Sequence, residues 1–147
     1  MGSERYGVAI DIGTSGLRTQ SIDLETNKVI ATAITLGHPL PGANVMDHLH
    51  FAIDMGRDLS NQLIVRALNS LLTRLHIDLG KVERSAVCGN PIQLSLFQNM
   101  EIRDLAYAGE RAKQRLGVDN VRRDSRVLKA VEVGLDLNPE ADIYVPP

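Results

Sequence analysis

Residues 9–24 read AIDIGTSGLRTQSIDL, and this stretch decides the fold. The apolar run Tyr6 to Ile12 is rich in β-branched residues and stops at Gly13, which predicts a buried strand. A second strand, Leu17 to Leu24, is predicted after a link of four residues, and a third, Lys28 to Leu36, after a polar turn. Three consecutive strands with short links predict an antiparallel meander.

Helices and strands are predicted to alternate after the meander. Asn44 is the expected cap of a helix from Val45 to Ala52, and Asp58 the expected cap of a longer one. The longer helix carries an apolar stripe formed by Leu59, Leu63, Ile64, Ala67, Leu68, Leu71, Leu72 and Leu75. This stripe predicts that the helix packs against the sheet.

The second half of the chain continues the same pattern. Ser85 to Cys88 predicts a short buried strand, and Asn90-Pro91 predicts the cap and first residue of the next helix. The charged segment 110–126 predicts a surface helix and loop. Two final strands are predicted, Val127 to Val133 and Asp142 to Val145. The fold class is therefore α/β, with a mixed sheet flanked by helices.

Composition excludes several classes of function. Lys and Arg number 16 against 18 Asp and Glu, so no basic field favours nucleic acid. No apolar run approaches the roughly 18 residues that span a bilayer, and the N-terminus lacks an apolar signal core, so a cytoplasmic protein is expected. Cys88 is the single cysteine, which excludes an internal disulfide or a cysteine-ligated cluster within this chain and predicts a small core residue.

The turn after the first strand carries the candidate chemistry. Asp11 ends a buried strand, where its carboxylate can reach a metal-bound water, and Gly13 and Gly16 let the backbone approach a phosphate. Thr14 and Ser15 add hydroxyl donors. An ordinary hairpin turn uses the same residue types, so on these residues alone both interpretations stay open.

The order of elements resembles the first domain of the actin, Hsp70 and sugar-kinase superfamily. This resemblance implies a ribonuclease-H-like, actin-like ATPase fold in which the strand-end acid works through magnesium and the turn clasps the β- and γ-phosphates of ATP. The matching positions are Asp11 as catalytic residue and magnesium ligand through water, and Gly13, Thr14, Ser15, Gly16 and Arg18 at the phosphates.

Three further stretches carry a narrower resemblance: HPLPGANVMDHLHFAIDMG (38–56), VCGNPIQLSLFQNMEIRDLAYAGE (87–110) and ADIYVPP (141–147). They resemble the reductive activases of corrinoid proteins, most of all the methylamine methyltransferase type. The resemblance implies an ATP-dependent enzyme that returns an inactive Co(II) corrinoid protein to Co(I). The implied partner is the corrinoid protein of a methyltransferase system, and the electron donor is not identified.

The chain lacks other parts that the resemblance implies. The family's second phosphate loop, adenosine pocket and iron–sulfur module have no counterpart in residues 1–147, which predicts a single N-terminal ATPase subdomain taken from a longer protein and inactive alone. Two alternatives remain, a carbohydrate kinase and an actin-like scaffold ATPase. Aromatic residues are only 3% and Trp is absent, which disfavours a sugar site.

A histidine cluster also invites a metal site. His38, His48 and His50 lie close in sequence to Asp47. His48 and His50 are two positions apart, so on a helix their side chains diverge. Packing between loop and helix, or contact with the corrinoid partner, is the favoured interpretation.

Overall fold

The computed structural model describes residues 4–106, 109–118 and 121–147. Its strands are β1 (Tyr6–Ile12), β2 (Leu17–Asp23), β3 (Val29–Ile34), β4 (Val82–Gly89), β5 (Arg126–Lys129) and β6 (Asp142–Val145). Its helices are α1 (Val45–Met55), α2 (Arg57–Leu72), α3 (Pro91–Phe97), α4 (Arg103–Ala106), α5 (Glu110–Leu116) and α6 (Ala130–Val133), and a 3-10 turn spans Leu79–Lys81. No described helix is long and apolar enough to cross a lipid bilayer.

The strands form one mixed sheet in the order β3-β2-β1-β4-β6-β5. Strands β1, β2 and β3 pair antiparallel, so the predicted meander is confirmed. Strand β4 lies parallel to β1 and β6 lies parallel to β4, while β5 closes the far edge antiparallel to β6. The predicted α/β class with a mixed sheet is therefore confirmed.

Helix boundaries follow local capping chemistry. The Asn44 side chain accepts a hydrogen bond from the Asp47 amide at 3.0 Å, which confirms the predicted start of α1. Gly56 has a φ of 105°, a conformation that favours glycine, and it separates α1 from α2. Because α2 already begins at Arg57, Asp58 lies inside its first turn, and the prediction of Asp58 as the cap was wrong.

One face of the sheet is covered by helices. Helix α2 packs across β2 and β3, and α3 packs against β4. The buried residues at this interface include Val8, Ile10, Ile12, Leu17, Val87 and Ile143 from the sheet and Ile64, Leu68, Leu71 and Leu72 from α2. Leu59 was predicted to join them, but its side chain is 37% exposed at the start of α2.

The other face of the sheet, which we call the open face, carries the alternate residues of the same strands. Arg18, Ala86 and Cys88 are exposed there, and Val127 and Tyr144 keep 63% and 47% of their surface exposed. Small residues at its centre leave a shallow apolar depression of about 370 Å³. The open face thus combines a small apolar centre with polar residues at the carboxyl ends of β1 and β4.

Two predicted features differ in the structure. Cys88 was expected in the core, but it is exposed because its place in β4 alternates with buried Val87. The strand predicted for Val127 to Val133 ends at Lys129, and residues 130–133 form α6. Glu132 accepts a hydrogen bond from the Lys129 amide, and Gly134 adopts a left-handed conformation, so capping groups at both ends favour a helical turn.

The predicted surface helix within 110–126 is present as α5, whereas positions 119–120 of that segment lie outside the described residues.

Candidate functional site

Three polar side chains form a row across the open face. Asp11 lies near the end of β1, and the strand registers place Arg18 of β2 and Cys88 of β4 directly opposite it. Directly opposed residues of neighbouring strands point to the same face of a sheet. All three residues are exposed. The structure therefore brings Asp11 and Arg18 together, as the sequence interpretation requires, and adds Cys88.

The predicted phosphate turn is compact and depends on glycine. The Gly13 amide donates to the Gly16 carbonyl at 3.1 Å, which closes the turn between β1 and β2. A Cβ atom on Gly13 would lie 3.0 Å from the same carbonyl oxygen. Thr14 is half-buried and Ser15 is exposed at the tip. A short, narrow turn of this kind leaves its backbone accessible to an anion.

Gly89 lets β1 and β4 approach each other beside this turn. A Cβ atom on Gly89 would lie 2.9 Å from the Ile12 carbonyl oxygen, too close for any side chain unless the strands separate. The sequence shows a glycine just before Asn90-Pro91, which predicts a turn but does not reveal the close contact. Gly89 is therefore a site-shaping residue that sequence reasoning missed.

Asn90 serves as a helix cap. Its side-chain oxygen accepts a hydrogen bond from the Gln93 amide at 2.9 Å, and Pro91 is the first residue of α3, as predicted. This contact accounts for the asparagine at the strand end.

Cys88 is held in its neutral form. Desolvation raises the pKa of the Cys88 thiol, and the charge of Asp11 and a hydrogen bond to it raise this pKa further. The residue next to Asp11 is therefore a thiol that donates to the carboxylate, and not a thiolate that would compete with it for a cation.

The histidines are placed by packing. His48 is fully buried and stacks on His38, with ring centroids 3.9 Å apart, whereas His50 is exposed. The two helical histidines thus point to different sides. Among residues 4–106, 109–118 and 121–147, no three His, Cys, Asp or Glu side chains converge in a group that could hold a metal ion.

The row and the turn suit a magnesium-bound phosphate. Mg²⁺ binds through oxygen, keeps several of its waters and needs only one or two protein carboxylates. Asp11 offers one exposed carboxylate, Thr14 and Ser15 offer hydroxyls, and a Cβ atom on Gly13 would crowd the turn. The residues present therefore fit Mg²⁺ with the phosphates of a nucleotide.

Comparison with known proteins extends these observations. Over 143 residues, the chain is 58% identical to the [Co(II) methylated amine-specific corrinoid protein] reductase of Methanosarcina barkeri, covering 97% of this chain and 26% of that protein. The chain thus spans about a quarter of the length of this curated relative.

Solved structures agree on the fold. A protein described as a reductive activator for corrinoid,iron-sulfur protein superposes with a TM-score of 0.78 at 22% identity, over 100% of this chain and 23% of that one. Acetate kinase from Entamoeba histolytica superposes with a TM-score of 0.52 at 12% identity, over 97% of this chain and 47% of that one. Identities this low show the fold alone, and they confirm the predicted actin-like ATPase fold.

The family described as the RACo middle region matches residues 6–147, almost the whole of this sequence. This chain belongs to the RACo middle region family.

Proposed function

We propose that this chain is the phosphate-binding part of an ATP-dependent reductive activase, which returns a Co(II) corrinoid protein of a methylated-amine methyltransferase system to Co(I). The single observation that carries the proposal is the 58% identity to a reductase named for such a corrinoid protein, extending over 97% of this chain. The glycine turn with Asp11 beside it supplies a place for the nucleotide.

The longer protein would contribute the remaining parts. The single cysteine of this chain cannot build an iron–sulfur cluster, so an electron-transfer centre and the second half of the nucleotide site would belong to other segments. The family is described as a middle region, whereas the sequence interpretation predicted an N-terminal subdomain. We therefore propose that segments of the longer protein both precede and follow this one.

The placement of the residues supports their proposed roles. Asp11 would hold Mg²⁺ through water, while Gly13 to Gly16 would surround the β- and γ-phosphates and Arg18 would add positive charge. Bound Mg²⁺ would neutralise phosphate charge during hydrolysis of ATP to ADP and phosphate. Cys88 would keep the Asp11 carboxylate oriented by donating a hydrogen bond.

ATP is proposed to act on the partner through conformation. Reduction of Co(II) to Co(I) takes one electron, which an external reductant would deliver through an electron-transfer centre of the longer protein, and Co(I) is strongly reducing. An ATPase that binds two states of its partner with different affinity can drive such an unfavourable transfer.

The test uses the full-length protein with its corrinoid partner. Under reductant, the visible spectrum of the corrinoid should show Co(I) only when ATP is present. Asp11→Asn should lower the rate by roughly a hundredfold or more, the order expected when metal-based charge stabilisation is lost. Glu25→Gln removes a carboxylate from the exposed β2–β3 turn and should leave the rate unchanged. ATP-independent reduction, or a fully active Asp11→Asn variant, would contradict the proposal.

A further inference from the structure

Residues outside the phosphate turn lie next to both of its ends. Where the turn ends, the Leu17 amide donates to Thr35 Oγ1 at 2.9 Å, and the Thr35 amide donates back to the Leu17 carbonyl at 3.0 Å. Where the turn begins, Gly89 lies against Ile12, and a Cβ atom on Gly89 would lie 3.5 Å from Cβ of Gln93. Thr35 is therefore bonded to the end of the turn, and Gln93 lies next to Gly89 beside its beginning.

A hydrogen bond joins these two supports. His38, three positions after Thr35, approaches Gln93 with its Nε2 atom 2.8 Å from Oε1 of the amide. The Gln93 backbone amide is in turn fixed by Asn90. The two ends of the turn are thus linked through four residues: Thr35, His38, Gln93 and Gly89. We call this set of residues the bracket.

The Leu40 backbone amide sets the donor and acceptor roles of the His38, Gln93 and His48 side chains. The Leu40 amide donates to Nδ1 of His38 at 3.0 Å, so the proton of the neutral His38 ring must be on Nε2, which then donates to Gln93 Oε1. The Gln93 amide nitrogen consequently faces Nδ1 of His48, 2.8 Å away, and donates to it. The proton of His48 is therefore also on Nε2.

Burial favours neutral rings, although the Nε2 proton of His48 is buried without a hydrogen-bond partner among the described residues. Gln93 and His48 are fully buried. Desolvation lowers the pKa of His48, and it lowers the pKa of His38 to about 4. Protonation of His38 at Nδ1 would remove the acceptor of the Leu40 amide, and protonation of His48 at Nδ1 would remove the acceptor of the Gln93 side-chain amide. Both histidines therefore keep the same tautomer across the neutral pH range.

We propose that Gln93 is a positioning residue for the phosphate turn: by accepting from His38 it fixes Thr35 relative to the end of β1, and so holds the backbone of Gly13 to Gly16 in its phosphate-binding shape. The inference rests on the proposed function only in taking ATP phosphates as the ligand. Gln93 itself touches no nucleotide and acts through His38 and Thr35.

The first test measures the turn without nucleotide. In Gln93→Leu, amide hydrogen exchange at Gly13 and Leu17 should be on the order of tenfold faster than in the wild-type chain, after correction for global stability. Long-range proton–nitrogen spectra should show His48 losing its single tautomer, because Gln93 no longer donates to its Nδ1 atom, whereas His38 keeps its tautomer through the Leu40 amide. The matched control is Gln98→Leu, because the Gln98 side chain bonds at the other end of α3.

A second variant keeps the inference testable if Gln93→Leu does not fold. His38 is only half-buried, so His38→Phe keeps a ring against His48 while removing the hydrogen bond to Gln93. It should speed exchange at Gly13 and Leu17 as Gln93→Leu does. If the Gly13 and Leu17 amides exchanged no faster in Gln93→Leu and His38→Phe than in Gln98→Leu, the inference would be overturned.

The functional test uses the full-length protein and separates the two proposals. Gln93→Leu and His38→Phe should raise KM for ATP on the order of tenfold with a smaller change in kcat, since the turn is loosened and no catalytic group is lost. Unchanged KM in both variants, with Asp11→Asn inactive, would overturn the positioning role and leave the proposed function intact. Faster exchange in both variants, together with a wild-type protein that does not use ATP, would support the positioning role and refute the proposed function.

Discussion

The covered and open faces of the sheet use alternate residues of the same strands for different purposes. Along β1, Val8, Ile10 and Ile12 are almost fully buried under the helices, whereas Asp11 between the last two is exposed beside the phosphate turn. A period of two thus separates residues that stabilise the fold from those that carry chemistry. Substitutions on the two faces should consequently have separable effects.

The largest effect on stability is expected on the covered face. Ile10 is 2% exposed, so Ile10→Ala should lower the free energy of unfolding by about 2–5 kcal/mol through lost burial and a residual cavity. Urea denaturation of the two proteins measures this difference. A loss below about 1 kcal/mol would mean that the helical layer collapses onto the sheet and refills the space.

A smaller loss, with an effect on the site, is expected where the two faces meet. Gly89→Ala introduces a Cβ atom that cannot fit beside the Ile12 carbonyl, and the strain should cost about 1–3 kcal/mol and weaken ATP binding. Gly109→Ala is the control, because a Cβ atom there meets no atom within 4 Å. Denaturant titration and nucleotide titration report the two quantities, and normal ATP binding by Gly89→Ala would show that the strand separation does not shape the site.

Because His38 is neutral in the folded chain, the free energy of unfolding should depend on pH. The expected change is similar to or smaller than that of Gly89→Ala. The pKa of His38 is about 4 in the folded chain and about 6.5 when unfolded, so the unfolded chain takes up the proton first as pH falls. The stabilisation is therefore complete above about pH 6.5 and is lost progressively towards pH 4, by about 1–3 kcal/mol for a partly exposed ring.

The free energy of unfolding, measured from pH 7 to pH 4, tests this prediction through its slope against pH. His38→Phe should flatten it, whereas Gln98→Leu should not, because that change leaves every titratable group in place. An unchanged slope in His38→Phe would assign the effect to other groups.

The smallest effect is expected on the open face. Val127 keeps 63% of its surface exposed, so Val127→Ala should change the free energy of unfolding by less than about 0.5 kcal/mol. Thermal unfolding of Val127→Ala and Ile10→Ala under the same conditions compares the two losses of stability directly. A loss as large as that of Ile10→Ala would show that this face is buried in solution, for example by association of chains.

Local pattern predicted most of the fold. The meander, the Asn44 cap, the Asn90 cap and the packing of α2 on the sheet follow from residues close in sequence, and all four were confirmed. The errors came from competition between weak local signals. A β-branched run from Val127 predicts a strand, but capping groups turned residues 130–133 into α6.

The candidate site was predictable only in part. Asp11 and the glycines of the turn stand together in the sequence, so their chemistry can be inferred there, and their roles stay a prediction. Thr35 and Gln93 are far from the turn in sequence and meet it only after the strands pair. No local pattern identifies such residues, because their contacts depend on the tertiary fold.

The parallel pairing of β1 with β4 also dictates when the site can exist. Ser85 Oγ donates to the Val8 carbonyl across 77 positions of the chain, so this pairing closes a long loop. Formation of the meander closes only short loops of the chain, whereas the long-range parallel pairing of β1 with β4 is slower. During synthesis, a ribosome-bound chain would form the phosphate turn and pair Asp11 with Arg18 early, and Asp11 would gain Cys88 only after β4 has emerged. At that stage the turn would still lack Gly89 and Gln93 beside its beginning.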